Sequence, residues 1–345
     1  MSQFKILFIY LQPLYQIKIM QPIFMTSSPN SKKYVAIIMI CLGIAAHLPA
    51  QQLPLFTQYR EAIGIINPAA LNGDFLISHG DLSTFIGLSA RTQWVGRKGT
   101  PKTQFIRGEM VTEIKNVTCL LGGYIINDQV DRIGTTGIYG RAAVMITGNH
   151  PEEGGLSVGL AAGYVNYRVR LEGAIVRDPD DELALINQSR SSPDLGAGIY
   201  AWKALGNSYM YGGLSIPQIL GLNVDFRRDS DTFNIVRVRH YYANAGMIVM
   251  MNVGEVIYIE PFIWAKYVPH TPFHVNAGFR YHFISNAWVG AGYGSNGSTH
   301  VEIGLELGDY PQYKIGYAFD GNFSGNVSYF GNSHEINLSV ALPGK

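Results

Sequence analysis

From residue 75 to residue 342 apolar and polar positions alternate with a period of two, in stretches separated by clusters of Gly, Asn, Asp, Ser and Pro. This is the strand-and-turn rhythm of an antiparallel sheet, and it predicts about 14 strands of roughly 8 to 14 residues. The clearest stretch sets Val301, Ile303, Leu305 and Leu307 against Glu302, Gly304 and Glu306. Near the end, Ile336, Leu338, Val340 and Leu342 alternate with Asn337, Ser339 and Ala341. Ile106, Met110 and Ile114 oppose Arg107, Glu109 and Glu113, and Ile257, Ile259 and Ile263 oppose Glu260 and Lys266. Helical spacing is confined to residues 51–72, where Tyr59, Ile63 and Ile66 share a face and Asn67-Pro68 stops the helix.

Alternation alone fits a soluble β-sandwich and a membrane barrel equally, because each buries one face and wets the other. In a sandwich the aromatics belong on the buried face; in a barrel they belong at the ends of lipid-facing stretches. Leu156, Val158, Leu160, Ala162 and Tyr164 follow the barrel order, and beyond Tyr164 the apolar parity passes to Val165, Tyr167 and Val169, as in a strand leaving the bilayer. A charge facing mid-membrane lipid costs about 2–4 kcal/mol, so Arg107, Glu109, Glu260 and Lys266 are expected in the lumen. Gly196, Gly198, Gly290, Gly292 and Gly294 thin one face, as needed where strands curve or a plug approaches closely. The pattern therefore predicts an all-β, transmembrane antiparallel β-barrel. Residues 51–74 form a short N-terminal helix or plug in its lumen, with a periplasmic arm as the alternative, and residues 75–345 form the barrel. Stretches 172–194 and 223–234 are long and polar, whereas Asn116 and Asp309-Tyr310 mark short turns, the asymmetry of surface loops and periplasmic turns.

The amino terminus adds a destination. Lys32 and Lys33, an apolar run over 34–48 and Leu48-Pro49-Ala50 read in order as a secretory signal peptide cleaved after Ala50, with Met25 the expected start and residues 1–50 an extension plus leader. An uncleaved anchor is the alternative, although the run is shorter than the roughly 20 residues a spanning helix needs. Cleavage leaves Cys119 as the sole cysteine, which excludes an internal disulfide and a Cys-based metal site. Composition agrees with burial rather than disorder: 47% of residues are apolar, 15% are charged and 39 are glycine. Net charge is +1 over the chain, and beyond residue 50 acids slightly exceed bases, so nucleic acid is an unlikely partner.

Chemistry is sparse. Gly155-Leu156-Ser157-Val158-Gly159 matches a hydrolase elbow, but that motif needs a strand-turn-helix and these residues alternate as a strand. The nine histidines are scattered singly. Asp178, Asp180 and Asp181 lack the glycine and terminal glutamate of a calcium loop, and Gly290-Ala291-Gly292-Tyr293-Gly294 precedes no helix. No cofactor, metal or enzymatic activity is expected; a hydrolase using Ser157 is the minor alternative.

A resemblance narrows the function. Gln51-Gln52-Leu53-Pro54-Leu55-Phe56-Thr57-Gln58-Tyr59, followed by Ile66-Asn67-Pro68-Ala69, resembles the PorP/SprF family of type IX secretion system membrane proteins. So do Arg91-Thr92-Gln93-Trp94 with Gly96, Pro101 and Thr103; Tyr211-Gly212-Gly213-Leu214-Ser215-Ile216-Pro217; Arg239-His240-Tyr241; Gly316-Tyr317-Ala318-Phe319-Asp320; and Ser333-His334-Glu335-Ile336. The resemblance implies an outer-membrane protein of the Bacteroidetes, similar to 14-stranded fatty-acid transporters. It implies a part in exporting or surface-anchoring cargo with a C-terminal sorting domain, and in gliding or secretion machinery. Its partners would be outer-membrane lipid, that cargo, and periplasmic ring or peptidoglycan-associated components. Phe56, Gln58, Tyr59, Asn67, Pro68, Arg91, Trp94, Arg239, His240, Tyr241, Ser333, His334 and Glu335 are the matched candidate residues, structural or interacting. Arg91 and Arg239 are expected in a lumen charge network with Glu109 or Glu260, and residues 56–67 are expected to couple a plug to periplasmic machinery. A passive channel or apolar-solute transporter is the functional alternative.

Overall fold

A strand that crosses lipid must satisfy every backbone group with a neighbouring strand, which only a closed sheet does. The computed structural model describes residues 56–170, 188–228, 231–254, 256–283, 286–308, 311–322 and 331–344. The expected leader and its cleavage site, residues 51–55, the aspartates at 178–181 and the turn at 309–310 lie outside the described residues. The strands are β1 Leu82–Thr92, β2 Lys102–Ile114, β3 Val117–Val130, β4 Ile133–Thr147, β5 Gly154–Val169, β6 Gln188–Leu205, β7 Ser208–Ile216, β8 Asn223–Arg228, β9 Asp231–Val236, β10 Tyr241–Asn252, β11 Ile257–Tyr267, β12 His274–Phe283, β13 Ala287–Gly294, β14 Ser298–Leu307, β15 Gln312–Asn322 and β16 Ser333–Pro343. Fourteen of them close an antiparallel barrel in which β1 pairs with both β2 and β16, and β7 pairs with β10. β8 and β9 form a separate two-stranded sheet, so the stretch expected to be a polar loop at 223–234 is a hairpin.

The pleat sorts the side chains as the alternation predicts. Ile303 is 56% exposed and Leu307 58%, while Glu302 and Glu306, one position before each, are buried. Ile106 and Met110 also face out and Arg107 and Glu109 in, and Glu260 and Lys266 are buried on the inner face of β11. Among the described residues no helix is long and apolar enough to cross a membrane; the strands supply the crossing. An arginine at Ile303, midway along β14, should destabilise the inserted barrel by about 2–4 kcal/mol. Denaturant titration in vesicles would measure it, and a neutral result would deny that this face meets lipid.

Aromatic placement departs from expectation. Tyr241, Tyr267 and Tyr293 do stand exposed at strand ends, but Trp202, Trp264, Trp288, Tyr200, Tyr258 and Phe262 are buried inside. The interior is a packed core, not a water-filled channel, because the segment ahead of β1 occupies it. That segment contains two short helices, α1 Ile63–Ile66 and α2 Gly73–Ile77. Phe75 therefore lies in a helix, and the first strand begins at Leu82 rather than at Phe75. Asn72 caps α2 by accepting the Asp74 N–H at 3.0 Å, which turns an apolar Phe-Leu-Ile run away from strand geometry. Asp194, assigned from sequence to a long loop, is buried within β6.

Candidate functional site

The feature that distinguishes this barrel is the contact between its wall and residues 56–78. Ala62, Asn67, Ala69, Ala70 and Leu76 are fully buried, so the segment is core rather than an arm. It begins as Thr57 and Gln58 donate their backbone N–H groups to Glu335 of β16, at 2.7 and 3.3 Å. Thr57 Oγ1 donates to Asp320 of β15 at 2.6 Å, and Arg91 of β1 joins Asp320 at 2.6 Å, Glu335 at 3.5 Å and the Thr57 hydroxyl. Phe56 packs edge to face on Phe105, with ring centroids 5.5 Å apart.

Glu61 carries the next tier. It pairs with Arg107 of β2 at 2.9 Å and with Arg280 of β12 at 3.7 Å, bridging strands on separate parts of the wall. Arg280 makes a two-point pair with Glu302 at 2.9 and 3.1 Å and lies 5.1 Å from the Trp288 ring centre. Arg107 also meets Glu109, which pairs in turn with Arg141 of β4. The Arg141 guanidinium then donates to the carbonyls of Gly64, Asn67, Pro68 and Ala70 at 3.2–3.5 Å. The Asn67 carbonyl also accepts the Ala70 N–H at 3.0 Å, so Arg141 Nη1 caps the end of α1 and reinforces the turn that follows it.

At Asn67 the wall thins. Its Nδ2 donates to the Ile199 carbonyl of β6 at 3.0 Å, its Oδ1 accepts the Ala69 N–H at 3.0 Å, and Ser215 of β7 donates to the Ile66 carbonyl at 2.8 Å. A Cβ on Gly159 would stand 2.7 Å from Pro68 and Ala69 backbone atoms, one on Gly213 2.6 Å from Asn67 Nδ2, and one on Gly198 against Asn67 Oδ1. Glycine in β5, β6 and β7 thus makes room for the plug, as foreseen for Gly198. Gly290 and Gly292 instead accommodate the side chains of Glu302 and His300.

The last tier lies around α2. Arg60 pairs with Glu260 at 2.5 Å and Asp74 at 3.3 Å; Lys314 of β15 pairs with Asp74 at 2.7 Å and Glu306 at 2.5 Å; His282 reaches Glu306 at 3.2 Å. Burial raises the Asp74 carboxyl, but Lys314 and Arg60 beside it more than compensate and leave it below the usual carboxylate range. A lowered folded-state value contributes stability that is complete above the unfolded value, near about 4, and is lost only as pH falls further. Hydrogen-exchange protection of residues 73–77, corrected for intrinsic rates, should therefore be equal at pH 7 and pH 5. A loss over that interval would assign the docking of α2 to another titrating group.

The sequence-predicted residues divide into those the plug gathers and those it does not. Phe56, Gln58, Arg91, Ser333 and Glu335 meet at one end, where Trp94, with φ of 55°, donates its N–H to Ser333 Oγ at 3.4 Å. Tyr59 packs on Phe262 with the rings tilted by 51° and centroids 4.6 Å apart, and Asn67-Pro68 seats against the glycines. Arg239 is exposed and donates to the Ile219 carbonyl, outside the expected network, because it lies beyond the start of β10. His240 is buried beside Tyr242, Tyr241 faces out beside Tyr267, and His334 meets Tyr317 on the outer side. Arg91 pairs with Asp320 and Glu335, not with Glu109 or Glu260; those take Arg107 with Arg141, and Arg60, respectively. Glu61, Asp74, Arg141, Arg280 and Lys314 were missed as site residues. Inward parity flags the strand members, and only an acid or base in an otherwise apolar segment flags Glu61 and Asp74.

Ser157 lies mid-strand in β5, buried, without the strand-turn-helix its motif needs. Among the described residues no group of His, Cys, Asp and Glu is arranged to hold a metal ion.

A family profile described as type IX secretion system membrane protein PorP/SprF matches residues 48–340. No curated protein matches the chain. Solved structures similar to it include the P. putida toluene transporter TodX (9% identity over 81% of this chain and 94% of that one, TM-score 0.45). The CymD monoaromatic hydrocarbon channel is 12% identical over 88% and 95%, with a TM-score of 0.44. The beta domain of the Bordetella autotransporter BrkA is 8% identical over 76% and 99%, with a TM-score of 0.40.

Proposed function

The chain belongs to the PorP/SprF family of type IX secretion system membrane proteins, and from that premise we propose that it is a closed outer-membrane component of that system. In this reading it assists the export or surface anchoring of cargo bearing a C-terminal sorting domain, and it works with periplasmic ring or peptidoglycan-associated components. The observation that carries the reading is the filled lumen. Residues 56–78 are bound to β1, β2, β4, β6, β7, β11, β15 and β16, which leaves little room for a solute path and favours a docking or gating part over the channel alternative. The turn that follows α2, where His79 and Asp81 are exposed close to the short turns, is the part open to periplasmic partners.

Comparing the surface proteome of a deletion strain with its parent tests the role. Loss of a small set of large surface proteins is expected. An unchanged set, together with impaired uptake of apolar solutes, would return the alternative to first place.

A further inference from the structure

Strand direction shows which mouth of the barrel each part of the plug reaches. β1 runs from Leu82, paired with Pro343, to Thr92, paired with Lys102 and His334. Connections 93–101, 170–187, 217–240 and 323–332 therefore open where β1 finishes, and the short turns 115–116, 206–207 and 253–256 where it starts. Long connections of such barrels face the outside. Arg91, Asp320, Glu335 and Phe105, which hold Phe56, Thr57 and Gln58, all lie near the long-connection end of their strands. Lys314, which holds Asp74, and Tyr209, which meets His79 at 2.9 Å, lie near the short-turn end of theirs. The plug thus crosses the lumen from the outer mouth to the periplasmic rim before turning into β1.

Its two ends are fastened by separate groups. Arg91, Asp320 and Glu335 hold Thr57 and Gln58 at the outer end, whereas Glu260 and Asp74 hold Arg60, Arg107 and Arg280 hold Glu61, and Lys314 holds Asp74, so the outer latch shares no residue with the fastenings below it. The outer fastening is also the less complete one. Gln58 is 1% exposed, yet neither Oε1 nor Nε2 of its side chain has a hydrogen-bond partner, and a buried amide so left favours states in which it reaches water.

We infer that residues 56–58 are a strap, latched at the cell-surface mouth by Glu335, Arg91 and Asp320, which lifts outward when that latch opens while Arg60, Glu61 and α2 stay fixed below it. The inference rests on the orientation of the barrel, not on its part in secretion. It makes the leading end of the plug an element reachable from outside the cell.

Single cysteines at Phe56, Lys98 and Lys115, placed in a Cys119→Ser background, test it with a membrane-impermeant maleimide on intact cells. Lys98→Cys and Phe56→Cys should react on intact cells, and Lys115→Cys only after permeabilisation. Adding Glu335→Gln should speed the reaction at residue 56 about tenfold or more, the effect of losing charged hydrogen bonds, and leave a Ser78→Cys probe unchanged. Reaction at Lys98→Cys with none at Phe56→Cys would overturn the strap while leaving orientation and secretion role intact. Reaction at Lys115→Cys instead would invert the barrel and overturn it too, and an unaltered rate with Glu335→Gln would remove the latch. Should Glu335→Gln fail to give a heat-modifiable folded barrel, Arg91→Lys is read by the same criterion.

Discussion

Deleting residues 56–70 should turn an electrically silent barrel into a steadily conducting one in planar bilayers. The wall survives because its backbone hydrogen bonds run between adjacent strands and none depends on the plug. What the deletion uncovers is an inner face of both signs, with Arg107, Arg141, Arg280 and Lys314 against Glu109, Glu260, Glu302 and Glu335, which water can solvate once the plug is gone. The wall should keep its heat-modifiable mobility, so loss of fold and gain of conductance are read separately. A deletion variant that folds and stays silent would mean that something other than this segment closes the lumen.

Replacing Arg141 with methionine should cost about 3–5 kcal/mol, the penalty of removing one partner of a buried pair. The side chain is 2% exposed and serves two functions, as counter-charge to Glu109 and as donor to four carbonyls of the plug. Its loss leaves Glu109 with Arg107 as its one remaining counter-charge and reopens the C-terminal end of α1. Adding Glu109→Leu should recover part of the loss, since the under-compensated charge is then absent and Arg107 keeps Glu61; the plug carbonyls would still lack the guanidinium, so recovery should be incomplete. Denaturant midpoints in detergent measure both variants. A loss below about 1 kcal/mol for the single variant would show that the plug is not held from β4.

The wall was readable because its signal is local. Every second residue in 301–307 reports the same face, and a strand has no choice about that parity. The plug gives a weaker signal: the spacing of Tyr59, Ile63 and Ile66 and the stop at Asn67-Pro68 foretell α1, but α2 is little more than one turn, so Phe75-Leu76-Ile77 reads as well for a strand. Pairing partners were hidden for a different reason. Parity placed Arg107, Glu109 and Glu260 inside, but which cation meets which carboxylate depends on register across strands and on how deep the plug sits. Arg239 shows the limit, since it shares a matched motif with buried His240 yet lies exposed. The aromatic rule failed because it assumes a wet lumen; a filled one places tryptophan where any folded core would.

The bond from the Thr57 N–H to Glu335 spans 278 positions in sequence. Contacts that distant are rewarded only after the intervening chain has been ordered, which makes them late events in folding. Every earlier strand added to the growing wall thus presents charges whose counterparts have not arrived, and the half-built sheet has no settled centre to rest on. Order of synthesis and order of completion run opposite: the first segment made is the last to find its place, so a truncated chain lacking β16 should stall as an open, aggregation-prone sheet dependent on periplasmic chaperones.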